Sequence, residues 1–188
     1  MTTVAPSVVD STTAALRRLY FVRFGFAIAW AALLFATGSD LGPLSVGLLV
    51  LYPLFDVAAA VVDARSSRAT GLARGLHVNV AISLLAAVGV ALACASGVPA
   101  VLRVWGAWAI VSGLVQLVVG VGRRRMGGQW PMILSGGLST LAGASFVTAA
   151  SAASPSLVNV VGYATLGGIF FLVSALRLGR GAPLTRAA

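Results

Sequence analysis

Few side chains in this sequence can do chemistry, and Asp56 stands out among them. It lies in LYPLFDVAAAVVDAR, residues 51–65, surrounded by apolar residues and three positions after Pro53. A carboxylate in such a run is costly to desolvate, and more so in lipid, so an intramembrane ionisable residue is a functional candidate by default. Arg23 can answer its charge. At a rise of about 1.5 Å per residue, Arg23 lies roughly 7–8 Å beyond Arg18, and Asp56 lies roughly 10 Å before Asp63. The two depths agree, so a salt bridge between consecutive antiparallel helices is geometrically reasonable. Two roles stay open: a buried pin that sets helix register, or a titrating carboxylate whose protonation moves something.

Periodicity supplies a second neighbour. Ser45, Tyr52, Asp56 and Asp63 are spaced 7, 4 and 7 residues apart, which puts them on one helix face. Pro53 has no amide hydrogen and leaves the Leu49 carbonyl without its helical donor. Asn79 and Ser83 sit one turn apart and are expected to make interhelical hydrogen bonds. Gln116 shares a face with Gly106, Ala109, Gly113 and Gly120, and is expected to bond across a close helix contact. Ser135, Ser139 and Gly143 form a comparable small-residue stripe. The candidate polar site in the apolar region is therefore Arg23, Asp56, Tyr52, Asn79 and Gln116.

The remaining reactive residues point to simpler roles. His77 falls at a helix entrance near Asp63 and Arg74, where an interfacial side chain is expected and a pH sensor is the sharper alternative. One His without a Cys or Glu cluster makes no metal site. Cys94 is the single cysteine, so no intrachain disulfide forms. It reads as a small buried hydrophobe. No nucleophile elbow is present. GLSTLAG lacks the lysine of a phosphate loop. The sequence calls for neither an enzyme nor a cofactor.

The elements that position these residues are membrane helices. Of 188 residues 59% are apolar and 9% charged, against roughly 25% charged in soluble domains. A crossing helix needs about 20 apolar residues, and six such stretches occur, at 19–38, 44–62, 75–95, 101–122, 130–150 and 157–176. The expected fold is all-α: a six-transmembrane-helix bundle. It comprises a mobile cytoplasmic N-terminal segment (1–18), a membrane domain (19–177) and a cytoplasmic tail (178–188), with the first span uncleaved.

The formal charge of +9 comes from 13 arginines and 4 aspartates. The arginines cluster before the first span, in the second and fourth loops and after the last span. The positive-inside rule then places both termini in the cytoplasm and accounts for the charge without a nucleic acid. Trp105, Trp108, Trp130 and Tyr20 fall near span ends, as an interfacial belt would, and Trp30 falls mid-span as packing. The lipid bilayer is the expected partner. The Gly-rich helix faces offer a surface for a homo-oligomer or another membrane protein.

Three prolines, Pro43, Pro99 and Pro155, open the even-numbered spans at a constant interval of 56 residues. The same interval relates Arg23, Asn79 and Ser135, and also Asp56, Ser112 and Gly168. This predicts three repeated helical hairpins.

The segments RVWGAWAIVSGLVQLVVGVGRRR and GGQWPMILSGGLSTLAGASFV resemble the HdeD family of short bacterial membrane proteins. The resemblance is best over residues 101–150 and extends over 19–177. It implies six helices built from short repeats, an inner-membrane location, and a role in acid or general stress resistance without catalytic residues. The residues alone leave a second reading open, a small transporter or proton-coupled channel using Asp56 and Arg23.

Overall fold

The computed structural model describes residues 8–37, 40–66, 73–122 and 130–180. These residues form six helices: α1 (Val8–Thr37), α2 (Pro43–Ser66), α3 (Ala73–Cys94), α4 (Val98–Gly122), α5 (Trp130–Ala149) and α6 (Val158–Arg180). Each follows an apolar run of the sequence. α1 begins at Val8, well before residue 19, so most of the stretch expected to be a mobile leader is helical where it is described. Its residues explain this: Ala14, Ala15 and Leu16 favour helix, and no proline follows Pro6 before the span.

Among the described residues, five helices are long and apolar enough to cross a membrane. The apolar part of α5, Ile133–Ala149, is shorter. α5 nevertheless stands upright beside α4, because the two pack along their lengths. The chain is a multi-pass membrane protein. Leu85 and Leu141 are 74% and 70% exposed, an arrangement suited to lipid. Hydroxyl groups on these surfaces bond within their own helices, as Ser145 does to the Ala142 carbonyl and Thr148 to the Ser145 carbonyl.

Each helix touches its sequence neighbours, and α6 returns to α1, closing a ring. The α2–α3, α4–α5 and α6–α1 pairs pack most closely, and the pairs inside the sequence hairpins pack less. A shift of 56 residues carries α2–α3 onto α4–α5 and α4 onto α6, and with α1 taking the place after α6 the ring has the threefold alternation that the proline spacing predicts. Pro43 is the first residue of α2, Pro99 the second of α4, and Pro155 lies in the turn before α6.

α4 and α5 approach most intimately. A Cβ on Gly113 would lie 2.6 Å from the Gly136 carbonyl, and one on Gly136 would lie 2.7 Å from the Gly113 carbonyl. Gly106 and Gly143 are related in the same reciprocal way, at 2.7 and 2.5 Å. Only glycine permits this contact, which brings Cα–H groups within reach of opposing carbonyls. At the α3–α4 turn Gly97 has φ +90°, a conformation that other residues adopt only with strain.

The apolar core lies toward the end of the bundle away from the termini. It is built from Trp30, Leu34, Leu49, Val90, Leu102, Trp105, Phe146 and Val160 with their neighbours.

Candidate functional site

Asp56, on α2, is held by side chains from two neighbouring helices. Its Oδ1 accepts from the Arg23 guanidinium on α1. Its Oδ2 accepts from Asn79 Nδ2 at 2.9 Å and from Ser83 Oγ at 2.8 Å, both on α3. Local geometry explains the convergence. Arg23 and Asp56 sit at matching depths on antiparallel neighbours. Asn79 and Ser83 are four residues apart, so both present one face of α3 to α2. The side chains of Arg23 and Asp56 are 17% and 15% exposed. Arg23 also lies over the Phe171 ring of α6, 4.3 Å from its centroid, a cation–π contact that ties the cluster to a fourth helix.

All the partners of Asp56 donate, so the site is complementary to a carboxylate. A bare charge at mid-span costs about 2.5–3.5 kcal/mol on insertion scales. The pair offsets much of that cost, and the two extra donors satisfy the oxygen that Arg23 does not use. The salt bridge expected from depth is therefore present, and Asn79 and Ser83 spend their hydrogen bonds on this carboxylate.

Two of the expected site residues make no hydrogen bond to the cluster. Tyr52 is one turn from Asp56, but its ring packs in a cluster with Trp30 (4.6 Å between centroids), Trp105 (5.4 Å), Phe26 (5.6 Å) and Trp108 (6.2 Å). Gln116 is on α4 at the Gly136 contact, its Cβ 3.0 Å from where a Gly136 Cβ would be. It makes no hydrogen bond to a described residue, because α4 and α5 meet backbone to backbone there.

Trp105 and Trp108 do not form an interfacial belt. Trp105 is fully buried, Trp108 partly, and both belong to the interior aromatic cluster. α4 starts at Val98, so Trp105 is about 10 Å along it. Trp130 is exposed, and Trp30 packs mid-span as expected. Its Nε1 donates to the Leu48 carbonyl at 2.6 Å, one residue before the carbonyl that Pro53 leaves without a donor. Ser139 and Tyr163 share a hydrogen bond of 2.9 Å that links α5 to α6. Cys94 is half-buried against the core.

His77 is exposed; its expected neighbours Asp63 and Arg74 have side chains outside the described residues. Of the arginines in the second and fourth loops and the tail, Arg68, Arg123, Arg124, Arg125 and Arg186 also lie outside the described residues.

The expected oligomer surface meets a different finding. Gly106, Gly113 and Gly143 are consumed by the α4–α5 contact inside the chain. They are not free to receive a second copy.

Ser83 was legible only as a helix-packing hydroxyl. Its role on Asp56 follows from its position one turn beyond Asn79, a spacing visible in the sequence. Compared with protein-family models, curated proteins and solved structures, the chain matches none.

Proposed function

We propose that this chain is a non-enzymatic protein of a bacterial inner membrane, with both termini cytoplasmic and an HdeD-like role in acid or general stress resistance. The arginine distribution supports the orientation. The likeness over residues 101–150 supports the stress role. One observation carries the non-enzymatic part: both oxygens of Asp56 are engaged by Arg23, Asn79 and Ser83. A carboxylate that works on a substrate needs a free lone pair facing it. Three of its roughly four acceptor positions are taken by donors from neighbouring helices, which supports reading Asp56 as a pin.

A second reading, a small transporter or proton-coupled channel, draws on Pro53. It lies inside the continuous helix α2, less than one turn from Asp56, and removes one backbone hydrogen bond there, a weaker form of the discontinuous helices found at transport sites.

The test is acid survival of a deletion strain carrying the wild type or Asp56→Asn, with membrane levels matched by blot. Equal rescue at matched levels is the outcome for a pin. Rescue by the wild type alone at matched levels transfers the assignment to proton-coupled transport. Failure of the wild type to rescue removes acid resistance from the proposal.

A further inference from the structure

The interior face of α4 carries an anomaly that the Asp56 cluster does not absorb. Trp105 Nε1, Trp108 Nε1 and Ser112 Oγ are buried and find no hydrogen-bond partner among the described residues. They are spaced by three and four residues and so share one helix face. That face looks across the bundle, since Trp105 touches Trp30 of α1 at 5.7 Å between centroids and Tyr52 of α2 at 5.4 Å. Trp105 is fully buried. An unpaired buried donor costs about 1–3 kcal/mol, and three gathered on one helix face call for a common explanation, such as an unseen water or ion.

The contrast with Trp30 sharpens the point. Its indole is equally buried and gives its hydrogen to a backbone carbonyl. The repeat offers a second contrast. Ser112 corresponds to Asp56 and Ser139 to Ser83, one interval of 56 residues along. In the first copy the carboxylate reaches both α3 donors. In the second, Ser139 is engaged by Tyr163, and Ser112 is left over.

We infer that the Trp105–Trp108–Ser112 face of α4 is an internal binding site for a neutral hydrogen-bond acceptor of water size. The chemistry selects the class. An indole N–H donates and cannot accept, so the occupant must present lone pairs. An anion would do so, but Arg103, two residues from Trp105 on α4, is exposed rather than turned to this buried face, Arg23 is neutralised by Asp56, and an uncompensated anion is costly in this apolar setting. Water makes two to four hydrogen bonds, and the three groups, spread over about 10 Å of helix, are suited to a short water chain rather than to one molecule.

The experiment uses the full chain in lipid nanodiscs with ¹⁵N-labelled indoles, assigned through W30F, W105F, W108F and W130F. Magnetisation transfer from water to each indole proton is measured, with Trp30 as the bonded control and Trp130 as the exposed one. Transfer to Trp105 and Trp108 but not to Trp30 is the expected result. If Trp105 and Trp108 are as silent as Trp30, the inference is overturned. Thermal unfolding gives an independent reading. A hydrated donor has no unmet cost to relieve, so W105F leaves the midpoint unchanged or lower; a raised midpoint means that the donor was unpaired and overturns the inference. A chloride titration completes the set: shifts of the Trp105 and Trp108 signals that saturate would identify an anion site and overturn the neutral class.

Discussion

Replacing Asp56 by Asn leaves Arg23 as an unmatched charge inside a membrane helix and weakens the acceptor that Asn79 and Ser83 share. Breaking one side of a buried pair costs about 3–5 kcal/mol, so D56N is expected to lower the folded fraction in detergent strongly. Ser83→Ala removes one of the donors and is expected to cost about 1 kcal/mol or less. The double exchange of Arg23 to Asp and Asp56 to Arg restores opposite charges. It also turns two donors toward a cation and removes the guanidinium from Phe171. It should recover only part of the loss, and full recovery in a urea titration would show that Asn79, Ser83 and Phe171 contribute nothing. The Arg23–Asp56 pair was legible because depth is a simple function of residue count on a helix. That Tyr52 gives the carboxylate no hydrogen bond was not, because a shared helix face says nothing of which neighbours a large ring packs against. Here the rings of Trp30, Trp105 and Trp108 offered Tyr52 a better surface.

At the scale of elements, the α4–α5 pair makes the most stringent demand on sequence. A methyl on Gly113 would sit 2.5 Å from Thr140 Oγ1 and 2.6 Å from the Gly136 carbonyl, and backbone cannot yield as a flexible side chain does. Overpacking of this kind costs about 1–3 kcal/mol. Gly113→Ala and Gly136→Ala should each lower the unfolding midpoint accordingly. Gly137→Ala is the matched control, since nothing lies within 4 Å of its added methyl. It should be neutral or slightly stabilising; equal losses at 136 and 137 would mean that helix propensity, not contact, sets the effect. The stripe on α4 was visible in the sequence. Its partner was half visible: Ser135, Ser139 and Gly143 share a spacing of four, but the contact runs through Gly136 and Gly143, seven apart, while Ser139 turns to Tyr163. Spacing identifies a face, and only packing selects between neighbouring faces. The same limit explains Trp105 and Trp108. A tryptophan near a span end suits an interface or an interior equally, and the extra turn of α4 before the apolar run put them inside.

For the whole molecule, hydropathy and arginine placement bring out six helices and their alternation, and neither carries the order of the ring or the closure of α6 on α1. That closure needs small residues at the crossing, where a methyl on Gly168 would meet Ala27 Cβ at 3.2 Å. The helix whose crossing is least secured by composition is α5. Among the described residues its apolar stretch is the shortest, and Gly136 and Gly143 hold it along α4 across two turns. If α5 crosses, the α4–α5 loop and the α5–α6 turn lie on opposite sides of the membrane. Labelling with an impermeant maleimide decides this in a Cys94→Ser background, because Cys94 is the single cysteine. Ser154→Cys in the α5–α6 turn is expected to react in intact cells, and Gly128→Cys only after the membrane is opened. The reverse pattern would keep the crossing and invert the proposed orientation. Reaction of both from outside would place the two connections on one side, making α5 a re-entrant segment held upright by α4.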